Sequence, residues 1–306
     1  MKPFFTGLAM RKMKSRMVLC LLGVSWVPGL AVGAEVAEGL EFYSARITRV
    51  AHEVVATIRP TLDERGQKIV DDIEFESPLT WETNADARRA FGNRRVVEFN
   101  AGFLAVTDWL ALAMIADWAG HDGCLKEYSA YLSELVGHNS RRIFKGKELR
   151  FVHDFSSYAA NTKGHCEGAL RDALFDDRKA EIRDEILDSI IATVVLHETA
   201  HHVLDHVSGY GSNLMQRRIR EIEADRWAIN TAVRANYDLR TAVPLFLFLA
   251  ATGGGTLEDE IRISHPSGLH RVRDLLVQTR ALLDKKNPIG AHLMDASIED
   301  LNRSLR

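Results

Sequence analysis

The most constraining feature of this sequence is a five-residue pattern, HETAH, that lies within a run of apolar residues. It spans His197–His201, and the residues before it would be apolar on almost every side of a helix: Ile190, Ile191, Val194, Val195 and Leu196. A helix that is apolar all round is buried in a protein interior. Polar side chains placed there need partners, and a cation can serve two imidazoles and a carboxylate together. The chain is therefore predicted to fold around this helix.

The spacing within HETAH suits a metal site on one helical face. Each helical residue turns by about 100°, so His201 lies about 40° round from His197 and one turn further along. Glu198 lies about 100° from His197, where a general base could take a proton from metal-activated water. His202 and His206 project about 140° and about 180° away from His197, and we exclude both as ligands. Because HExxH arises by chance in roughly three of a hundred such chains, the pattern needs support from other residues.

The N-terminus has the features of a secretory signal peptide. Residues 1–16 carry five Lys or Arg and no acid, an apolar stretch follows over 17–31, and small residues precede a cleavage point after Ala34. We expect one mature domain over 35–306, exported to the periplasm or secreted, with its best-supported part at 190–285. About 15 apolar residues are fewer than the roughly 20 that span a bilayer, so no stable span is expected after cleavage. The alternative is a chain anchored in the membrane by an uncleaved N-terminal segment.

Charge and cysteine content limit the other possibilities. Cleavage would remove five positive charges and move the formal net charge from −3 to −8, and no basic stripe suited to nucleic acid is present. Cys124 and Cys166 stay in the mature chain, and the sequence leaves open whether they form a disulfide. His138, His153 and His165 lack ligand-like spacing, so they are interpreted as surface or hydrogen-bonded histidines.

A second helix is predicted to bring a third ligand to the metal. Residues 207–213 have the composition of a turn, and a helix follows over about 214–235. In an antiparallel hairpin the chain rises about 7 Å beyond His201, turns, and returns about 10 Å to Glu221, which arrives near the level of the metal. Asp225, one turn further on the same face, could orient a metal ligand. The alternative is that Glu221 is a solvated acid on an Arg-rich helix.

The rest of the chain is predicted to form helices around a small sheet. Apolar spacing predicts helices over about 40–62, 103–118, 126–136 and from Asp177 to about Asp205 or His206. Alternating residues predict strands over 69–75 and 94–99. The 103–118 segment contains Asp108 and is too short to span a membrane, so it is predicted to be a core helix. The predicted fold class is therefore α+β, mostly α.

Three motifs in order resemble a known family. HETAH is followed by Glu221-Ile222-Glu223-Ala224-Asp225 and then by Ser264-His265-Pro266, with Arg271 six positions after His265. This set resembles the gluzincin metallopeptidases of the CAAX prenyl endopeptidase family and its exported soluble relatives. The resemblance implies that His265 and Arg271 lie at the cleft and assist the substrate or the transition state.

The same resemblance implies the fold, the metal and the activity. The fold would be zincin-like, with an active-site helix, a glutamate helix and a small sheet whose edge strand is Val96–Phe99. One Zn²⁺ per chain would be bound by His197, His201 and Glu221, with Glu198 as general base. We interpret the chain as an exported zinc endopeptidase that hydrolyses peptide or protein substrates with metal-activated water.

Two other functions remain open at this point. A zinc-binding chaperone-like or binding protein could keep the same fold with little or no turnover. A metal-free helical exported protein is the other alternative. The sequence does not indicate the substrate or the oligomeric state.

Overall fold

The computed structural model describes residues 38–143, 153–169, 177–208 and 213–235, with a few more at 237, 245, 273–274, 276–278, 280–281 and 299. The predicted signal peptide, His265 and Arg271 lie outside these described residues. Most of the described chain is helical, and three short strands form one small sheet. The predicted α+β, mostly α class is therefore confirmed.

The structure gives the bounds of seven α-helices and three strands. The helices are α1 (Glu38–Ile58), α2 (Glu64–Asp71), α3 (Ala101–Trp118), α4 (Cys124–Ile143), α5 (Phe155–Asn161), α6 (Asp177–Val203) and α7 (Leu214–Arg234). The strands are β1 (Ile73–Glu76), β2 (Ala85–Arg89) and β3 (Arg95–Phe99). Helix α6 contacts α1, α2, α3, α7 and the sheet, so it lies at the centre of the fold.

Helix α3 is a core helix, as predicted. It is the one described helix that is long and apolar enough to cross a membrane, and 89% of that stretch is buried inside the protein. Asp108 in α3 is fully buried and accepts hydrogen bonds from Arg183 Nε at 2.7 Å and from Tyr43 Oη at 2.7 Å. Burial raises the pKa of Tyr43, and the hydrogen bond to Asp108 raises the pKa of Arg183. This cluster ties α1, α3 and α6 together.

The sheet corrects the predicted edge strand. Its order is β1-β3-β2, with β1 parallel and β2 antiparallel to β3. The prediction that Val96–Phe99 is an edge strand is therefore wrong, because its main-chain groups pair with neighbours on both sides. Among the described residues, the edges of this sheet are β1 and β2. Within the described part of the chain, an incoming peptide could extend this sheet only at β1 or β2.

The predicted strand over 69–75 is also partly wrong. Asp63 Oδ1 accepts from the Gly66 backbone N–H at 2.7 Å and caps α2, which continues through Ile69 and Val70. Both of these residues are buried. Their apolar side chains belong to the inner face of a short helix, and β1 begins only at Ile73.

The structure shows that Cys124 and Cys166 form a disulfide, a question that the sequence left open. Cys124, the first residue of α4, forms a disulfide with Cys166, and their Cα atoms are 4.7 Å apart. Glu127 reinforces this connection by accepting from Tyr158 Oη at 2.9 Å and from the His165 backbone N–H at 2.6 Å. The bridge joins α4 to the segment after α5 and does not involve α6 or α7.

Candidate metal centre

The HETAH residues occupy the buried C-terminal part of α6. His197 is 6% exposed and Glu198 is 8% exposed, and the apolar turns before them are almost completely buried. The adjacent helix α7 carries Glu221, which is 8% exposed, and its buried small residues Ala224 and Ala228 allow close helix packing. The sequence folds this way because the turns of α6 before His197 are apolar on all sides, while α7 buries only one face.

Three metal-binding side chains converge between the two helices. His197 Nε2 lies 3.2 Å from His201 Nε2 and 3.2 Å from Glu221 Oε2, and His201 Nε2 lies 3.6 Å from Glu221 Oε1. One ligand atom from each residue can be chosen so that all lie within 4.8 Å of one another. Two atoms bound about 2.1 Å from one zinc ion at the tetrahedral angle are about 3.4 Å apart. The spacing of the three side chains therefore fits zinc.

Hydrogen bonding on the far side of His197 also favours a cation. Asp225 Oδ1 lies 2.8 Å from His197 Nδ1, and a carboxylate can only accept from that nitrogen. In neutral His197, Nε2 then carries a lone pair that faces a carboxylate oxygen of Glu221 across 3.2 Å. Two such acceptors repel each other unless a positive charge lies between them. The donor set is thus of the type that binds a divalent cation.

His206 is not one of the three metal-binding side chains, but it contacts one of them, which the helical repeat did not predict. Helix α6 ends at Val203, before the predicted end at Asp205 or His206, and Asp205 has a positive φ of 59°. His206 begins a short 3₁₀ turn and places its Nδ1 3.1 Å from Nδ1 of His201. The angle of about 180° predicted for His206 applies only to a helix that continues to this residue, whereas α6 ends at Val203. Asp205 itself was the sequence signal for this break, because Asp adopts the left-handed backbone conformation more readily than most residues.

His202 is directed to the sheet and not to the metal ligands. Its ring is 1% exposed, and its Nε2 donates to the carbonyl oxygen of Val96 at 3.0 Å. Burial lowers the pKa of this imidazole, so the neutral ring is favoured. The exclusion of His202 as a ligand agrees with this contact, which joins α6 to β3.

One cavity among the described residues is separate from the three metal-binding side chains. It has a volume of about 450 Å³ and includes His202 in its lining, but it does not include His197, His201 or Glu221. Its remaining lining residues are mainly charged: Arg65, Lys68, Asp72, Arg89, Arg95 and Asp205, with Ile69.

Comparison with known proteins gives one family. Residues 207–279 match peptidase family M48. The chain resembles this family of gluzincin metallopeptidases. The match contains Glu221, Asp225, His265 and Arg271, and it begins shortly after HETAH. No curated protein and no solved structure matches the chain significantly.

The M48 resemblance and the metal-binding group agree with each other. M48 peptidases depend on zinc, and the described residues contain one His-His-Glu group that could hold a metal ion. Together they support a function of the zinc metallopeptidase type. The M48 match covers about a quarter of the chain, so the N-terminal sheet and the disulfide-bonded segment are described by the structure alone.

Proposed function

We propose that this protein is an exported zinc-dependent endopeptidase. The observation that carries the proposal is the convergence of His197, His201 and Glu221, whose ligand atoms lie within 4.8 Å of one another between α6 and α7. These three residues would hold one zinc ion per chain. When bound, zinc polarises a peptide carbonyl and lowers the pKa of water, which makes peptide-bond hydrolysis possible near neutral pH.

The remaining steps are assigned to the chain's own side chains. Glu198 follows His197 directly on α6 and is buried, so its carboxylate can take a proton from the attacking water and pass it to the leaving amine. Asp225 holds the ring of His197 through Nδ1. We assign stabilisation of the developing oxyanion to His265 or Arg271, both of which fall within the M48 match.

An extended peptide is the substrate form that this fold could bind. Strand β2 contacts α6 and pairs with β3 on one side, and among the described residues no strand pairs with its other side. Its free edge could receive a peptide through main-chain hydrogen bonds. We therefore assign peptide pairing to β2, and not to Val96–Phe99, the strand that the resemblance led us to expect at the edge.

Two observations support export. The N-terminal sequence has the order of a signal peptide, with a predicted cut after Ala34. The Cys124–Cys166 disulfide is the type of bond that persists in oxidising compartments such as the periplasm. N-terminal sequencing of the protein recovered from an exporting host should begin at Glu35, and an intact Met1 would contradict cleavage.

The hydrolytic proposal is tested by Glu198→Gln. The full chain is produced with export, and elemental analysis should find about one zinc per chain in the wild type and in this variant. Peptide hydrolysis, followed by mass spectrometry on a mixed peptide library, should fall by about 10²–10⁴-fold in Glu198→Gln. His197→Ala is the matched control that should lose the zinc as well as the activity.

Two outcomes would contradict the proposal. One is a folded wild-type protein that contains no zinc after growth with zinc supplied. The other is hydrolysis that persists unchanged in Glu198→Gln while the zinc content also stays the same. A wild type that holds zinc but cleaves nothing in the library would favour the binding-protein alternative.

A further inference from the structure

The end of α6 brings a second histidine against a metal ligand. The helix stops at Val203, and the turn that begins at His206 folds back beside it. The ring centroids of His201 and His206 are 5.1 Å apart, and their Nδ1 atoms are 3.1 Å apart. On a continuous helix, side chains five residues apart would point about 140° away from each other. The contact therefore depends on the helix break at Asp205.

Helix α7 holds this turn from the opposite side. Glu223 Oε2 lies 3.2 Å from His206 Nε2, and Arg220 Nη1 donates to the carbonyl oxygen of His206 at 3.1 Å. The His206 side chain is 8% exposed, whereas the Glu223 side chain is 51% exposed. The buried ring thus lies between His201 and a carboxylate that reaches the solvent. Both the main chain and the side chain of His206 therefore contact residues of α7.

The hydrogen-bonding capacities of these groups determine which atom donates in the contact between His206 and His201. The Glu223 carboxylate only accepts, so His206 Nε2–H must donate to it. In neutral His206, Nδ1 is then an acceptor, and the group that can donate to it is Nδ1–H of His201. This arrangement leaves the lone pair of His201 on Nε2, the atom that faces His197 and Glu221. His197 is held in the same tautomer by a direct hydrogen bond to Asp225, with no residue between them.

We propose that His206 and Glu223 are positioning residues that hold the ring of His201 in the orientation and tautomer required for zinc binding. This inference rests on the proposed zinc site and goes beyond its three ligands. Helix α7 would then supply a ligand, Glu221, and also orient both histidine ligands, one directly through Asp225 and one through His206.

The test compares two substitutions at His206. Leu has a similar size but no polar atoms, while a Gln side chain can accept through Oε1 and donate through Nε2 as the imidazole does. Zinc dissociation constants are measured in the full chain by competition with a chelator. His206→Leu should weaken zinc binding about 10–100-fold, and His206→Gln should retain most of the affinity. The absorption spectrum of the Co²⁺-substituted protein should change in His206→Leu, because it reports the geometry of the ligands.

Glu223 is tested in the same assay. Glu223→Gln should weaken zinc binding in the wild-type background, but it should add no further loss in the His206→Leu background, because its effect passes through His206. Glu185→Gln, an exposed substitution on α6, is the matched control and should leave the zinc affinity unchanged. The unfolding midpoint of each metal-free variant separates a loss of fold from a loss of positioning.

The outcomes distinguish this inference from the proposed function. A wild type that binds zinc with the same affinity and cobalt spectrum as His206→Leu would overturn the positioning role and leave the zinc peptidase proposal intact. Equal losses in His206→Leu and His206→Gln would also overturn it, since only packing would then be lost. A folded wild type that binds no zinc would overturn both.

Discussion

At the scale of single residues, the centre depends on which nitrogen of each imidazole carries the proton. Asp225 Oδ1 lies 2.8 Å from Nδ1 of His197 and so directs the Nε2 lone pair inward. Replacing Asp225 by Asn keeps the size of the side chain but removes its charge and permits either orientation of the amide. We expect Asp225→Asn to weaken zinc binding about 10–100-fold, as measured by chelator competition.

Asn230→Ala is the control for that measurement. Asn230 lies on the exposed side of the same helix α7, so its removal should not change the zinc dissociation constant. If Asp225→Asn bound zinc as tightly as Asn230→Ala and the wild type, the carboxylate would have no role in orienting His197.

At the scale of elements, the position of α6 depends on a buried charge cluster far along the helix from HETAH. Arg183 on α6 and Tyr43 on α1 both donate to Asp108, which is fully buried in α3. Removal of Asp108 would leave the Arg183 guanidinium, whose side chain is 30% exposed, without its carboxylate partner. We expect Asp108→Ala to lower the free energy of unfolding by about 3–5 kcal/mol, measured by urea denaturation of the metal-free protein.

A surface ion pair provides the comparison for this effect. Arg49 and Glu53 are four residues apart on α1, and their side chains are 51% and 54% exposed. Glu53→Ala should cost only about 0.5 kcal/mol, because water screens the pair. Similar losses for Asp108→Ala and Glu53→Ala would show that the buried cluster does not fix the packing of α3 against α6.

At the scale of the whole molecule, the disulfide stabilises a part of the described chain that contains none of the three metal-binding side chains. The Cys124–Cys166 disulfide closes a separation of 42 residues, and it joins α4 to the segment after α5. Replacing both cysteines by serine should lower the free energy of unfolding by about 4 kcal/mol on the chain-entropy account. Zinc affinity should stay unchanged, because the metal-binding side chains lie on α6 and α7. The free energy of unfolding and the zinc affinity are both compared with those of the oxidised wild type. A loss of zinc affinity in the double serine variant would contradict the expectation that the disulfide and the metal-binding side chains act independently.

Much of this architecture could be predicted from the sequence because it depends on local patterns. The apolar residues of α3 and the apolar turns before His197 recur at helical spacing, so both helices were predicted with nearly their observed limits. The mostly helical class followed from these segments. The return of Glu221 to the level of His201 was also predictable, because a short turn between two helices fixes how far the chain climbs and descends.

Other features were decided only by the tertiary structure. Val96–Phe99 has the sequence of a strand, but its place in the middle of the sheet depends on β1 and β2, which reach it from other parts of the chain. The alternating pattern of one strand does not specify its neighbours. His206 contacts His201 because α6 ends at Val203 and because Arg220 and Glu223 on α7 hold the turn. The helical repeat by itself determined which residues share a face of α6, whereas contacts between distant segments decided where the helix stops and what lies against it.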